Sequence, residues 1–187
     1  MTKARTLASF DATGVLTSTS TLNPALLDDT GTIPSALLAG VGGDNTPSFF
    51  ASIGTAAAIP ANVWSTVIYN TEAYDTASAY NNSTYIFTPQ TAGKYFCSAQ
   101  IKVGNFGDGA GSKYIQLALY KNGDSTQEGY TQVEANGETV ISVSSVITFN
   151  GSSDNLKVRV YHNDGASARN SSTGIANSFF TAFKLAE

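Results

Sequence analysis

Lys94-Tyr95-Phe96-Cys97-Ser98-Ala99-Gln100-Ile101-Lys102-Val103 is the stretch that decides the fold class. Tyr95, Cys97, Ala99, Ile101 and Val103 alternate with Lys94, Ser98, Gln100 and Lys102. That period of two marks a half-buried β-strand, because successive side chains point to opposite faces. Only Phe96 puts an apolar side chain on the polar side. The same alternation recurs on both sides of this stretch. Ile115, Leu117 and Leu119 oppose Tyr114, Gln116, Ala118 and Tyr120. Ile141, Val143, Ile147 and Phe149 oppose Ser142, Ser144 and Thr148. Leu156, Val158 and Val160 alternate with Lys157 and Arg159, and Phe179, Phe183 and Leu185 close the chain. Between these runs lie Lys121-Asn122-Gly123-Asp124, Asn136-Gly137, Asn150-Gly151 and Asn163-Asp164-Gly165, and Asn-Gly accepts the positive φ of tight hairpins. No stretch holds a helical period, so the class is all-β, an antiparallel sandwich or barrel.

Composition limits what such a domain does. Of 187 residues, 13% are charged, about half the usual ~25%, and 42% are hydrophobic. A surface so poor in charge is expected to be covered in part by copies of itself. The net charge of −4 gives no basic patch for gripping nucleic acid. No 18-residue apolar run offers a membrane-spanning helix. Lys3 and Arg5 supply the charges of a signal peptide, but Ala8-Ser9-Phe10-Asp11-Ala12-Thr13 is no apolar core for one. Synthesis in a reducing cytoplasm is expected. Cys97 is the single cysteine, so no intrachain disulfide staples the fold.

Aromatic residues divide the chain. Of 20 Phe, Trp and Tyr, only Phe10 precedes Phe49. A segment rich in Thr, Ser, Ala and Gly with one aromatic cannot build a core. Residues 1–45 are expected to form an extended N-terminal arm and residues 46–187 the globular head. Pro24 and Pro34 interrupt the arm's apolar stretches, each too short for a stable isolated helix. Such an arm keeps a fixed path only against a partner surface or sister subunits.

The head resembles the C1q globular domain, itself related to tumour necrosis factor. Phe49-Phe50-Ala51-Ser52 resembles that family's opening strand. Val67-Ile68-Tyr69-Asn70, Tyr74-Asp75 and Tyr80 resemble its Asn and Tyr-Asp block. Tyr85-Ile86-Phe87-Thr88-Pro89-Gln90-Thr91-Ala92-Gly93-Lys94-Tyr95-Phe96 matches its F-T-x-P-x-x-G-x-Y-x-F pattern with the proline one place early. Leu117-Ala118-Leu119-Tyr120-Lys121-Asn122-Gly123 resembles its L-x-K-N-G hairpin, and Ser178 to Leu185 its closing strand. The match runs in order over about residues 47–187. Phe149-Asn150-Gly151-Ser152-Ser153-Asp154-Asn155-Leu156 departs from it with a lengthened turn, and no Gly-X-Y collagen stalk is present. In the arm, Lys3-Ala4-Arg5-Thr6-Leu7-Ala8 and Asn45-Thr46-Pro47-Ser48-Phe49-Phe50-Ala51 resemble segments of tail-fibre and other virion proteins of tailed phages.

The resemblance implies a jelly-roll head that assembles as a homotrimer and acts without catalysis. The phage-like arm implies a place on the virion surface, with Leu7, Phe10, Leu16, Leu26, Leu27, Ile33, Leu37 and Leu38 anchoring to a capsid or tail protein. Loops carrying Asn105, Asp108, Asp124 and Asp164 would then face a host glycan or protein receptor. A host-binding fibre is the first reading, a capsid decoration protein or head fibre the second, and a polysaccharide hydrolase the third.

Single residues add little chemistry. His162, the only histidine, is expected as a partly exposed side chain near a turn rather than a triad base. Cys97, on an apolar stripe, is expected to be a buried inert thiol. One His and one Cys cannot make a zinc site. Gly107-Asp108-Gly109-Ala110-Gly111 precedes a strand rather than a helix, so it is a connecting loop and not a phosphate cradle. Asp108, Asp124 and Asp164 are expected to be solvated turn carboxylates rather than calcium ligands. No cofactor is implied. Tyr69, Tyr74, Tyr80, Tyr114, Tyr120 and Tyr130 could pave a glycan-stacking platform, although packing within the sandwich or between subunits accounts for most of them.

Overall fold

The computed structural model describes residues 45–104, 106–107, 112–133, 137–165 and 168–185. The arm and its anchor residues Leu7, Phe10, Leu16, Leu26, Leu27, Ile33, Leu37 and Leu38 lie outside the described residues, as do Asn105, Asp108 and the Asn136 of one expected hairpin.

Thirteen strands are described: β1 (Ser48–Ser52), β2 (Ala58–Ile59), β3 (Ser65–Thr66), β4 (Thr71–Asp75), β5 (Tyr80–Asn81), β6 (Ile86–Phe87), β7 (Gly93–Gly104), β8 (Tyr114–Lys121), β9 (Asp124–Gln132), β10 (Thr139–Phe149), β11 (Leu156–His162), β12 (Arg169–Ser171) and β13 (Phe179–Lys184). They form two antiparallel sheets. The first runs β2-β12-β7-β13-β1-β4 with β10 also on β7, and the second runs β5-β6-β11-β8-β9 with β3 also on β11. The all-β jelly-roll expectation holds.

Alternation builds the core. Along β7, Tyr95, Cys97, Ala99, Ile101 and Val103 are fully buried, and Ile115, Leu117, Leu119, Val158 and Val160 meet them from the second sheet. At one end Phe49 lies 4.6 Å from Tyr80, 4.7 Å from Phe87 and 4.9 Å from Phe180, ring centroid to centroid. Such pairs add about 0.5–1.5 kcal/mol each beyond the area they bury. The tyrosines admitted to this core are satisfied. Tyr69 Oη donates to the Gln100 carbonyl at 3.0 Å, Tyr80 Oη to the Tyr69 carbonyl at 2.8 Å and Tyr95 Oη to the Thr91 carbonyl at 2.8 Å. Burial raises all three phenols, Tyr95 to about 12.

The turns follow their chemistry. Asn122 (φ 55°) and Gly123 (φ 98°) close β8 onto β9, two consecutive left-handed residues as a tight hairpin requires. In the lengthened turn after β10, Asn150 Oδ1 accepts the amides of Ser152, Ser153 and Asp154 at 3.0–3.1 Å. A Cβ on Gly151 (φ 72°) would stand 2.3 Å from the Ala92 amide nitrogen, so glycine is required there. Asn122 ties the two turns together, donating to Asp154 Oδ1 at 2.8 Å and accepting the Asn155 amide at 2.9 Å.

β9 has no apolar alternation. Its residues, Asp124-Ser125-Thr126-Gln127-Glu128-Gly129-Tyr130-Thr131-Gln132, are exposed or half-buried throughout, and it pairs with β8 as the edge of the second sheet.

Candidate functional site

A sandwich has two outward faces, and here both are aromatic. On the first sheet, strand register sets Val146, Phe96, Phe183 and Ser48 in one row across β10, β7, β13 and β1. Ser144, Ser98, Thr181, Phe50 and Tyr74 form the next row, and Ser142, Gln100 and Phe179 a third. Phe96 and Phe183 meet at 5.4 Å, Phe50 and Phe179 stack at 5.5 Å, and Phe50 reaches Tyr74 at 6.5 Å. Phe96, the residue that broke the polar side of β7, belongs to this face. These three rows are uncharged, and Lys94 and Lys102 lie on the same side of β7 in the rows that flank them. Tyr74, Val140 and Val146 are about half exposed. A large apolar patch of this kind marks an interaction surface.

The second sheet's outward face is made of different residues. Tyr120, Trp64, Tyr161, Tyr114 and Tyr130 follow one another across β8, the residue before β3, β11, β8 again and β9, with successive centroids 5.7, 5.7, 5.9 and 5.0 Å apart. Alternation places Gln116, Lys157, Arg159 and Glu128 on the same side. The Arg159 guanidinium lies 4.9 Å from the Tyr120 ring centroid, and its Nη2 donates to the Trp64 carbonyl at 2.6 Å. Arg159 Nε is buried and has no hydrogen-bond partner among the described residues. The Tyr161 hydroxyl raises the Tyr114 phenol above its ordinary value. Of the six tyrosines considered for a platform, Tyr114, Tyr120 and Tyr130 share this face. Tyr69 and Tyr80 are core residues, and Tyr74 belongs to the first sheet.

The end of the sandwich corrects two expectations. Asp164 is 1% exposed and is not a solvated, receptor-facing carboxylate. Lys113 Nζ pairs with its Oδ1 at 2.5 Å, Arg169 Nε pairs with Oδ2, and the Gly107 amide donates to Oδ2 at 2.9 Å. Burial pushes this carboxyl up, but Lys113, the Gly107 amide and Arg169 outweigh it and hold it at about 2. His162 is likewise fully buried rather than partly exposed. Its Nδ1 accepts the Asp164 amide at 3.3 Å and its Nε2 lies 2.9 Å from the Ile59 carbonyl, which places the hydrogen on Nε2. Both follow the inward phase of β11, His162 as its last residue and Asp164 two residues beyond it. The cluster is saturated, so Asp164 and His162 tie Gly107 and Lys113, which precede β8, to β12 and β2 and offer no free general base. Asp124 is exposed at the start of β9. Cys97 is buried, and burial pushes its thiol up to about 12, as an inert core cysteine requires. Among the described residues, no three His, Cys, Asp or Glu side chains converge on a possible metal position.

No family model and no curated protein sequence matches the chain. Solved structures do. The globular domain of zebrafish complement 1qA aligns at TM-score 0.57 with 16% identity over 74% of this chain and 96% of that one. Eiger TNF from S. frugiperda aligns at 0.55 with 16% identity over 75% and 92%. Murine APRIL at pH 5.0 aligns at 0.54 with 12% identity over 74% and 98%. At such identities the likeness shows the fold: a C1q/TNF-type jelly roll.

Proposed function

We propose that residues 46–187 form a non-catalytic, homotrimeric binding knob of a tailed-phage particle, anchored by residues 1–45 to a capsid or tail protein. One observation supports the trimer: the Phe50, Phe96, Phe179 and Phe183 cluster on the outward face of the first sheet, which a lone head would leave in contact with water. Burying such a face between copies favours association by roughly 25 cal/mol per Å² of apolar area. The low charge of the whole chain supports the same reading. The phage-like segments Lys3 to Ala8 and Asn45 to Ala51 support the arm's role, and the aromatic row of the second sheet supports host binding.

Light scattering on the full chain tests the knob. A mass of three chains is expected, and a monomer at micromolar concentration would refute it. Deleting residues 1–45 is expected to leave a trimeric head that no longer enters particles, and incorporation of the truncated protein would remove the arm as anchor. Antibody labelling of intact particles separates a fibre tip from a shell decoration.

A further inference from the structure

We propose that the tyrosine face of the second sheet binds a carboxylate-bearing polysaccharide. The inference rests on the knob reading in one respect: closing the phenylalanine face between copies leaves this face outward.

The chemistry of the face selects the ligand. Its rings run without a break for five members at 5.0–5.9 Å, a continuous stripe whose successive planes are inclined by 24–58°. A stripe of equally spaced rings suits a chain of repeating ring-shaped units, whereas a single anchor side chain of a protein partner needs a pocket to fill. Tyrosine and tryptophan join an apolar body to a polar edge, which suits sugar rings with apolar faces and hydroxyl rims. Gln116 and Gln132 add amides between and beside Tyr114 and Tyr130.

Charge narrows the class. The chain is acidic overall, yet β11 presents Lys157 and Arg159 on this face. Neither takes part in an ion pair among the described residues, nor do Lys94 and Lys184, whereas Lys102, Lys113, Lys121 and Arg169 all do. Arg159 is already oriented by the Trp64 carbonyl and the Tyr120 ring, and since its Nε is buried, the donors it can offer a ligand are those of its Nη atoms. An oriented guanidinium with spare donors is matched by a carboxylate. Two cations beside Glu128 are too few for a nucleic-acid backbone, which calls for several phosphate contacts.

Calorimetric titration of the full-length protein with a polygalacturonate hexamer tests this, with maltohexaose, hexaglutamate and a thymidine hexanucleotide as comparators. Trp64, the only tryptophan, reports locally by its emission. Saturable binding by the acidic sugar alone is expected, with a shift in Trp64 emission and weakening in salt. Tyr130→Ala and Lys157→Gln are each expected to weaken it about fivefold, with the mass unchanged. Arg159→Lys keeps the charge, loses the fork, and is expected to weaken it by a similar factor. No heat up to about 10 mM sugar would overturn the proposal, that being weaker than any useful single site. Equal binding of maltohexaose would overturn it, since the cations would be irrelevant. Tighter binding of hexaglutamate or the oligonucleotide would assign the face to a protein or a nucleic acid instead. A monomeric mass alongside acidic-sugar binding would sink the knob reading and leave this site standing.

Discussion

The two outward faces share a scaffold and an aromatic content, but they differ in the atoms at the ring edges. On the first sheet the rings are mostly phenylalanine, flanked by Val146, Ser98 and Thr181, with charge only in the bordering rows of Lys94 and Lys102. On the second they are tyrosine and tryptophan, flanked by Gln116, Arg159 and Glu128. Phenylalanine edges gain nothing from water and are best removed from it permanently. Tyrosine edges hydrogen-bond as well in water as in a complex, so their face tolerates both states. Aromatic residues on a sheet exterior therefore do not mark one kind of contact. Their edges and neighbours decide whether the contact is permanent or exchangeable.

That contrast can be broken by mutation. Phe96→Asp places a carboxylate in the middle of the first face, against Phe183. It is expected to convert trimer to monomer, weakening association about a thousandfold or more, because each copy buries an unpaired charge. Light scattering reads the change. An equal effect from Tyr130→Asp would erase the distinction between the faces. Asp164→Asn touches neither face and provides the reference. It strands Lys113 and Arg169 and is expected to cost about 3–5 kcal/mol in denaturant unfolding, whatever the mass of the assembly. Acid tests the same clamp. Its folded value of about 2 lies below the ordinary ~3.9. Its contribution is then complete above pH ~4 and lost as pH falls toward 2. Asp164→Asn should flatten stability across that window.

Smaller effects sharpen the comparison. Arg159→Gln keeps a donor for the Trp64 carbonyl but loses the stack on Tyr120, and is expected to cost about 1–2 kcal/mol without changing the mass. Tyr130→Ala, at 57% exposure, is expected to cost under about 1 kcal/mol. Thermal unfolding monitored through Trp64 reads both. The least effect is expected at Cys97, whose raised thiol should resist alkylation at pH 8 until the head unfolds.

The strands that carry the core were readable because each has one dry face. β7, β8, β10 and β11 alternate, and their inward residues are buried, joined in β8 by the outward Ala118. The aromatic and glycine spacing around Tyr85 to Phe96 made the jelly roll legible as a resemblance. β9 was not legible, since an edge strand with polar residues on both sides has no period to read. The short β2, β3, β5, β6 and β12 are held by neighbours rather than by their own pattern. The faces were half legible. Phe96 announced itself by breaking an alternation, but Trp64 and Tyr161 join Tyr114 only through strand pairing across distant sequence. Asp164 misled because Asp-Gly after a strand reads as an exposed turn. Its partners, Lys113 and Arg169, come from other elements, and nothing local signals a buried carboxylate.

The polarity of β9 also bears on how these heads behave in a crowd. An edge strand offers unpaired amides and carbonyls, and a greasy one invites a neighbour's strand to extend the sheet indefinitely. Asp124 and Glu128 on this edge, with Ser125, Thr126 and Gln127 between them, repel such a template. Many copies can then stand side by side at high local concentration without knitting into fibrils. Replacing those two acids with valine would be expected to trade that tolerance for aggregation, with the fold of each head unchanged.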